Sequence, residues 1–483
     1  MRYESTRDSK IEVSSCVAIL QGLASDGGLF FPRNLPRLSK EVYDTTDFQT
    51  LAVLILHAWF DDFTRIEIED CVHEAYTNRF ETEEIVPLLK VGDRYVAELF
   101  HGPTAAFKDI ALSLFPRLLL KAREKTGSTK DLVILAATSG DTGSAALTGL
   151  KDIPHIKIIA FYPNEGISLI QRLQMTTQNG KNQTVAAIKG NFDDAQNAVK
   201  RFFETRKDEA DILYSSANSI NIGRLLPQIV YYVQTYNVLV RQGVIIQGDL
   251  VDFAVPTGNF GNILAAYLAK RTGLPIGKLI CASNQNHILS DFIQTGIYDR
   301  NRAFYPTLSP SMDILVSSNL ERLIWVLSKG DTLLIAGLMN ELRRTGRYQL
   351  PKALLKEMQE TFVGGFADDT ETLATIRKIY EKEAYLMDPH TAVAWKVADN
   401  HPSNTPLVVL ATASPYKFPQ SIAKALDWPI EDDLRLIESI AKRTGIPIPK
   451  CLAELKLKRI VHTDVLDKQE VDAYIHCVAK ELP

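Results

Sequence analysis

The sequence predicts an α/β protein with two parallel-sheet domains and a mostly helical N-terminal region. In two stretches, a short apolar run typical of a buried strand leads through a glycine-containing loop into a helix-like run. The first has its strand at residues 132–135 and its loop at 136–144, and the second at 251–255 and 256–262. Further strand and helix candidates alternate along the chain, which is typical of a parallel sheet with crossover helices on its faces.

The N-terminal region covers residues 1–97 in this prediction. Its apolar run at 51–60 indicates a buried helix, although a strand fits the same run, and residues 66–80 are amphipathic. Residues 95–100 alternate in polarity and are interpreted as a strand that leads into the next domain.

The two α/β domains are predicted to cover residues 98–245 and 246–483. The other strand candidates are 156–161, 184–188, 212–214, 279–282 and 407–411. The other helix candidates are 168–178 and 193–204, together with the charged runs 354–360 and 371–383, which we interpret as solvated faces. Such folds bind ligands in a cleft at the carboxyl ends of their strands.

Composition excludes several classes of protein. The 483 residues carry a formal net charge of -4, which gives no reason to expect nucleic acid as a partner. The five cysteines are scattered without a C-x-x-C pair, so neither a disulfide framework nor a zinc site is expected, and reduced thiols fit a cytoplasmic protein. We find no apolar run of membrane-spanning length and no signal peptide. A monomer and a homodimer both fit the sequence.

Lys108 stands in an apolar, small-residue stretch at the start of a helix-like run, residues 110–125. Gly102 and Pro103 mark a turn before it, and Thr104 is predicted to be the helix N-cap. Burial there lowers the pKa of the lysine and makes its neutral amine available, as a Schiff-base lysine requires. A solvated lysine at a helix start is the alternative interpretation, and it is common.

The two glycine-containing loops favour the Schiff-base interpretation of Lys108 over the solvated one. Each aims backbone N–H groups and the positive end of a helix dipole at an anion. One such loop is a common connector, but two of them together with Lys108 indicate a phosphorylated cofactor and an anionic substrate.

Three strings of residues carry a resemblance to a known family. Residues 101–109 (HGPTAAFKD), 137–143 (ATSGDTG) and 258–262 (GNFGN) resemble the threonine synthases, pyridoxal-phosphate enzymes built like the tryptophan synthase β subunit. Further blocks at 3–7, 22–32, 310–313, 388–392 and 411–418 extend this resemblance over nearly the whole chain. It implies a tryptophan synthase β-like fold for the two α/β domains.

The resemblance implies conversion of O-phospho-L-homoserine and water to L-threonine and phosphate. Lys108 would hold pyridoxal 5'-phosphate as a Schiff base and then transfer protons at the substrate's Cα and Cβ. The loop of Gly258, Asn259, Phe260, Gly261 and Asn262 would bind the cofactor phosphate. A Rossmann-like nucleotide loop is the alternative, but the G-x-x-G spacing lacks the full dinucleotide fingerprint.

Other positions matching the family are assigned to the cofactor ring and the substrate carboxylate. Ser139, Gly140 and Thr142 would receive the carboxylate, whereas the anion Asp141 would accept a hydrogen bond from the cofactor or a neighbouring donor. Thr412 would face the pyridine nitrogen, although a buried threonine capping a strand is an alternative. Ser414 and Tyr416 depart from the family's usual His and Ala.

For the phosphate of the substrate, the candidates are Asn218, Ser219, Asn221 and Arg224, and Thr104 is also assigned to the substrate. Arg224 offers a bidentate fork, although a charge on a helix surface is an equally good interpretation. Arg7 and Lys417 are weaker candidates. His390, beside Asp388, is interpreted as a structural residue or a support for the site.

Competing functions stay open at this point. Within the fold, a threonine or serine dehydratase or a cysteine-synthase-like enzyme would share the lysine and the phosphate loop. A phospho-lyase would release phosphate without adding water. A catalytically inactive nucleotide- or partner-binding protein would be expected to have lost the lysine or the loop, and this chain retains both.

Overall fold

The computed structural model describes residues 1–190, 192–205, 209 and 211–481. The N-terminal region contains a small antiparallel sheet in the order β2-β1-β3, formed by β1 (Tyr3–Ser5), β2 (Glu12–Val13) and β3 (Phe30–Pro32). Its helices are α1 (Ser15–Gln21), α2 (Phe48–Trp59) and α3 (Arg65–Tyr76). The predicted buried helix is therefore confirmed as α2, which packs against α3.

The remaining strands alternate with helices along most of the chain. The strands are β4 (Leu88–Val91), β5 (Arg94–Glu98), β6 (Asp131–Ala137), β7 (Ile156–Pro163), β8 (Gln183–Ile188), β9 (Ile212–Ser216), β10 (Val251–Pro256), β11 (Ile276–Ser283), β12 (Ile297–Asp299), β13 (Arg347–Gln349), β14 (Phe362–Phe366), β15 (Leu407–Ala411) and β16 (Asp464–Leu466).

The helices that follow α3 include those at the predicted positions. They are α4 (Lys108–Lys125), α5 (Asp141–Leu150), α6 (Leu169–Thr176), α7 (Phe192–Thr205), α8 (Ile222–Leu225), α9 (Ile229–Arg241), α10 (Gly261–Arg271), α11 (Ile288–Thr295), α12 (Leu320–Leu327), α13 (Thr332–Thr345), α14 (Lys352–Thr361), α15 (Asp369–Glu383), α16 (Pro389–Asp399), α17 (Pro419–Ala425), α18 (Asp433–Thr444), α19 (Lys450–Ala453) and α20 (Val471–Ala479).

Two larger sheets form within the described part of the chain. One is parallel throughout, with the order β16-β8-β7-β6-β9. The other has the order β14-β11-β10-β15-β5-β4 and is parallel except for the β4–β5 hairpin at its edge. The central strands β7 and β10 are buried along their whole length, as expected for sheets covered on both faces. The predicted fold class, two parallel-sheet α/β units beside a mostly helical N-terminal region, is confirmed.

Strand pairing links segments that are distant in sequence. β5, which precedes the Lys108 turn, pairs with β15 in the larger sheet, whereas β16, close to the C-terminus, joins the edge of the other sheet beside β8. The limits at residues 97/98 and 245/246 stay a proposal, and both sheets take strands from across them. Lys108 therefore lies on the segment that connects β5 of one sheet to β6 of the other. In the described residues, no helix combines the length and the apolarity that crossing a membrane requires.

Candidate active site

Lys108 is the first residue of α4. The predicted N-cap role of Thr104 is wrong, because the N-cap is Phe107 and it makes no side-chain capping bond. Thr104 instead donates its hydroxyl and its N–H to the buried carboxylate of Asp109, over 2.6 and 2.8 Å. The backbone N–H of Phe107 donates to the carbonyl of Thr412 over 2.9 Å, which ties the lysine turn to the end of β15.

The amine of Lys108 is buried and faces two polar side chains. Its Nζ lies 3.4 Å from Ser311 Oγ and 3.6 Å from Asp141 Oδ2. Burial lowers the pKa of Lys108 to about 8, although the Asp141 carboxylate works in the opposite direction. The desolvation that the sequence predicted is thus present.

Asp141 begins α5 and is almost fully buried. Lys417 lies 3.0 Å from its Oδ1, and Gln171 and Ser311 donate to its two oxygens over 2.9 and 3.2 Å. Burial by itself raises the pKa of Asp141, but Lys417 and Lys108 together hold it well below its usual range. The side chain is therefore an anion between two cations.

Lys417 was a weak candidate for the substrate phosphate, and the structure places it elsewhere. Its side chain is fully buried behind Asp141. Its Nζ also donates to the carbonyl of Thr104 over 2.9 Å and to Gln174 Oε1 over 2.8 Å. These contacts fix Lys417 as the inner partner of Asp141, away from the cavity lining.

The second loop leads from β10 to the N-terminus of α10, where Phe260 is the N-cap in the left-handed conformation with φ 61°. The unpaired N–H groups of a helix's first turn attract an anion. A side chain at position 258 would clash, because a Cβ on Gly258 would lie 2.6 Å from the carbonyl oxygen of Ser311. Gly258 therefore lets two backbone segments approach closely beside the cavity.

Arg224 in α8 is buried, and Nη1 donates to the carbonyl of Ala217 over 2.5 Å. Its Nε has no hydrogen-bond partner among the described residues, and the same holds for Asn218 Oδ1 and Asn262 Nδ2. Burial lowers the pKa of Arg224 to about 10, since no nearby carboxylate opposes it. All three residues line one cavity, so their unpaired atoms mark it as a polar ligand site.

Most of the predicted site residues meet at that cavity. Those that line it are Lys108, Ser139, Thr142, Asn218, Ser219, Arg224, Gly258, Asn259, Phe260, Gly261, Asn262 and Thr412. Gly140 and Asp141 are absent from the lining. Gly140 has φ 129°, and a Cβ there would lie 2.6 Å from Gln171 Cδ. The cavity thus joins a buried amine to two loops suited to anions.

Besides Gly140, two predicted substrate residues lie outside the cavity lining. Thr104 is taken up by Asp109, and Asn221 caps α8 by accepting from the N–H of Gly223 over 2.9 Å. The amide of Asn221 also donates to the carbonyl of Ile19 over 2.9 Å, which directs the side chain to the N-terminal region. Arg7 pairs with Glu321 over 2.8 Å and is likewise absent from the lining.

Sequence reasoning missed the contribution of Ser311 and interpreted His390 as a structural residue or a support for the site without naming what it supports. Ser311 donates its N–H to His390 Nε2 over 3.2 Å, and His390 Nδ1 lies 2.7 Å from Asp388 Oδ1. This arrangement leaves the proton on Nδ1 and makes Nε2 an acceptor. The blocks at 310–313 and 388–392 were part of the family resemblance, but their contact lies between segments nearly eighty residues apart.

The residues that line the cavity can be compared with the groups that a phosphorylated aldehyde cofactor would bring to it. A phosphate group brings several acceptor oxygens, and the N-terminus of α10 together with the unpaired Asn262 amide offers donors for them. An aldehyde on the same molecule would find the buried Lys108 amine in the same cavity. The residues present therefore suit pyridoxal phosphate.

Three family models match the chain. They are described as threonine synthase N terminus, over residues 2–76, pyridoxal-phosphate dependent enzyme, over 75–336, and threonine synthase, C-terminal, over 391–475. The second model alone covers more than half of the chain.

Individual proteins are similar over long alignments. Threonine synthase of Eremothecium gossypii is 38% identical over 94% of this chain and 98% of its own length. Threonine synthase-like 1 of Homo sapiens is 41% identical over 85% of this chain, and the alignment spans 57% of that relative. The crystal structure of threonine synthase from Brucella melitensis, described as bound to PLP, superposes with a TM-score of 0.88 at 35% identity, covering 99% of this chain and all of that one.

Proposed function

Since this chain belongs to the threonine synthase family of pyridoxal-phosphate-dependent enzymes, we propose that it converts O-phospho-L-homoserine and water to L-threonine and inorganic phosphate. The observation that carries this proposal is the shared cavity of Lys108, the 258–262 loop and Arg224. A reactive amine and two separate places for a phosphate are what a phosphorylated cofactor and a phosphorylated substrate need. A cytoplasmic location is part of the proposal, supported by the free cysteines of the described chain.

The cofactor would be held at both ends. We assign its phosphate to Gly258, Asn259, Phe260, Gly261 and Asn262, its aldehyde to Lys108 and its ring nitrogen to Thr412. When bound, pyridoxal phosphate supplies an aldehyde that condenses with amines and a ring that accepts the electron pair of a carbanion. A neutral threonine hydroxyl at the ring nitrogen would not stabilise a protonated ring, which would favour elimination over transamination.

The substrate would be held at its two anionic ends. Arg224, Asn218 and Ser219 are assigned to its phosphate, because all three line the cavity and the unpaired Nε of Arg224 is a charged donor that suits a phosphate oxygen. Ser139 and Thr142 are assigned to its carboxylate, since both precede or begin α5 and line the cavity.

Proton transfer is assigned to Lys108. With a pKa of about 8, its amine can both take up and return a proton near neutral pH. Asp141 and Ser311 lie within 3.6 Å of Nζ and orient it. In the overall reaction the Cγ–O bond and one Cβ–H bond break, the hydroxyl of water adds at Cβ and a proton adds at Cγ. Phosphate leaves with the remaining proton, so that one water molecule is consumed for each threonine and each hydrogen phosphate formed.

Product analysis tests the proposal. Purified protein supplied with pyridoxal phosphate and O-phospho-L-homoserine should release phosphate and form threonine in equal amounts. Formation of 2-oxobutyrate in place of threonine would identify a phospho-lyase. Turnover of threonine or serine without the phosphorylated substrate would identify a dehydratase. Lack of any turnover, with no near-visible absorbance, would support a binding protein.

A further inference from the structure

Asn319 is a fully buried residue that contacts both phosphate loops of the site. Its Nδ2 donates to the carbonyl of Ser219 over 3.2 Å and to the carbonyl of Asn259 over 3.0 Å. Its backbone N–H also donates to the Asn259 carbonyl, over 3.2 Å. One side-chain amide therefore joins the loop assigned to the substrate phosphate to the loop assigned to the cofactor phosphate.

Arg322, one turn further on in α12, holds that amide in place. Its Nη1 donates to Asn319 Oδ1 over 2.6 Å, and its Nη2 donates to the carbonyl of Ile220 over 2.6 Å. Nε and Nη2 also donate to the carbonyl of Phe30, over 3.1 and 2.9 Å. The guanidinium thus connects the loop of Ser219 and Ile220, which is assigned to the substrate phosphate, with α12 and with β3 of the N-terminal sheet.

This buried cation has neutral partners. The neighbouring Glu321 pairs with Arg7 and accepts from Thr6, and its charge favours the Arg322 cation without a hydrogen bond to it among the described residues. Burial lowers the pKa of Arg322 to about 9, and the side chain is fully buried. The guanidinium supplies a fork of donors to three neutral oxygens, those of Phe30, Asn319 and Ile220, which a lysine would not reproduce.

A second set of bonds holds the cofactor loop to the same segment. Ser317 donates its hydroxyl to the carbonyl of Gly258 over 2.9 Å, and Ser318 Oγ lies 3.4 Å from Asn259 Oδ1. A shift of either loop would leave buried donors and carbonyls without partners, which is costly. The distance between the two loops is therefore fixed by residues that lie outside the cavity lining.

We propose that Asn319 and Arg322 form a positioning pair that sets the spacing between the two phosphate loops and thereby selects the chain length of the phosphorylated substrate. This proposal rests on the proposed function, because it takes the two loops to hold the cofactor phosphate and the substrate phosphate. O-phospho-L-homoserine would be long enough to reach from the bound cofactor to the loop assigned to the substrate phosphate. O-phospho-L-serine is one methylene shorter and would not span that distance.

The test compares Asn319→Ala and Arg322→Lys with the parent enzyme for both substrates. With O-phospho-L-serine, loss of phosphate followed by hydrolysis gives pyruvate, ammonia and phosphate, all of which can be assayed. We expect kcat/KM for the longer substrate, divided by that for the shorter one, to fall by about tenfold or more in each variant, on the order of one buried hydrogen bond. Ser328→Ala is the matched control, because among the described residues its hydroxyl bonds only to the carbonyl of Trp325, within the end of α12.

A second readout works without turnover. Pyridoxal phosphate titrated into the cofactor-free protein should bind about tenfold more weakly to Asn319→Ala and Arg322→Lys than to the parent or Ser328→Ala. An unchanged selectivity ratio together with a lowered melting temperature would overturn the proposal and leave a stabilising role only. If the parent does not turn over O-phospho-L-homoserine, the proposed function fails. Unchanged cofactor affinity in both variants would, independently of that result, overturn the proposed positioning role of Asn319 and Arg322.

Discussion

Nζ of Lys108 lies 3.6 Å from Oδ2 of Asp141, and the other oxygen of this carboxylate is 3.0 Å from Nζ of Lys417. One buried anion therefore stands between two buried cations, and the positive charge of Arg224 lowers the pKa of Lys108 further. Because the three side chains come from α4, α5 and the segment after β15, the protonation state of the amine depends on how the two sheets are joined.

Replacing Lys108 by alanine should abolish covalent attachment of the cofactor and the reaction that depends on it. The parent protein, loaded with pyridoxal phosphate and reduced with borohydride, should carry one cofactor adduct on the peptide that contains Lys108. Mass spectrometry of the digested protein measures this directly. The exposed Lys90→Ala serves as the control and should keep the adduct on Lys108. An adduct at another lysine of the parent would contradict the assignment.

The rate of cofactor attachment should rise with pH to a plateau above about 8. Only the neutral amine attacks an aldehyde, and burial lowers the pKa of Lys108 to about 8 from the value near 10.4 of a free lysine. The neutral fraction therefore grows as pH rises through 8, and the rate stops rising once the amine is fully deprotonated. Stopped-flow absorbance of cofactor-free protein mixed with pyridoxal phosphate gives the profile. A midpoint near 10 would show a solvated lysine.

Changes at Asp141 and Lys417 should move that midpoint in opposite directions. Asp141→Asn removes the anion that favours the ammonium form, so the pKa of Lys108 should fall. Lys417→Met removes a repelling cation, so the pKa should rise. The same stopped-flow profile measures both, with the exposed Lys424→Met as control. If the midpoint moved in the same direction in both Asp141→Asn and Lys417→Met, the two substitutions would be disturbing the site in general and not acting through their charges.

The elements of the site could be predicted from local sequence because local physics determines them. The apolar run at 132–135 became β6, and the run at 251–255 became β10, each followed by a loop and a helix N-terminus. Buried parallel strands are continuous apolar runs, and glycine marks the sharp turns between strand and helix, so both signals lie within a few residues.

The contacts behind the site could not be predicted in this way. Lys417 meets Asp141 although the two residues are far apart in the sequence, and nothing local to either residue indicates its partner. Thr104 has the residue type of an N-cap, yet the buried carboxylate of Asp109 competes for its hydroxyl and wins. The spacing role proposed for Asn319 likewise needs carbonyls from two loops that only the fold brings together.

Replacing Arg224 by alanine should chiefly weaken binding of the phosphorylated substrate. A charge-assisted hydrogen bond contributes about 1.5–3 kcal/mol, so KM should rise about 10- to 100-fold while kcat changes less. Initial rates over a range of O-phospho-L-homoserine concentrations give both constants. Arg172→Ala, an exposed arginine in α6, is the control and should leave KM unchanged. An unchanged KM in Arg224→Ala would remove Arg224 from the phosphate site.

Replacing Gly258 by alanine should weaken cofactor binding, because the new methyl group would lie 2.6 Å from the Ser311 carbonyl oxygen and one segment would have to move. Overpacking of this kind costs about 1–3 kcal/mol, which corresponds to a roughly 5- to 150-fold loss of affinity if it is expressed in binding. Fluorescence or absorbance titration with pyridoxal phosphate measures the change. Gly337→Ala is the matched control: it lies inside α13, and apart from the local backbone no described atom lies within 4 Å of the added carbon, so alanine there should raise the melting temperature. Equal cofactor affinity in the two variants would show that the close approach of the 258 loop to Ser311 has no part in holding the phosphate.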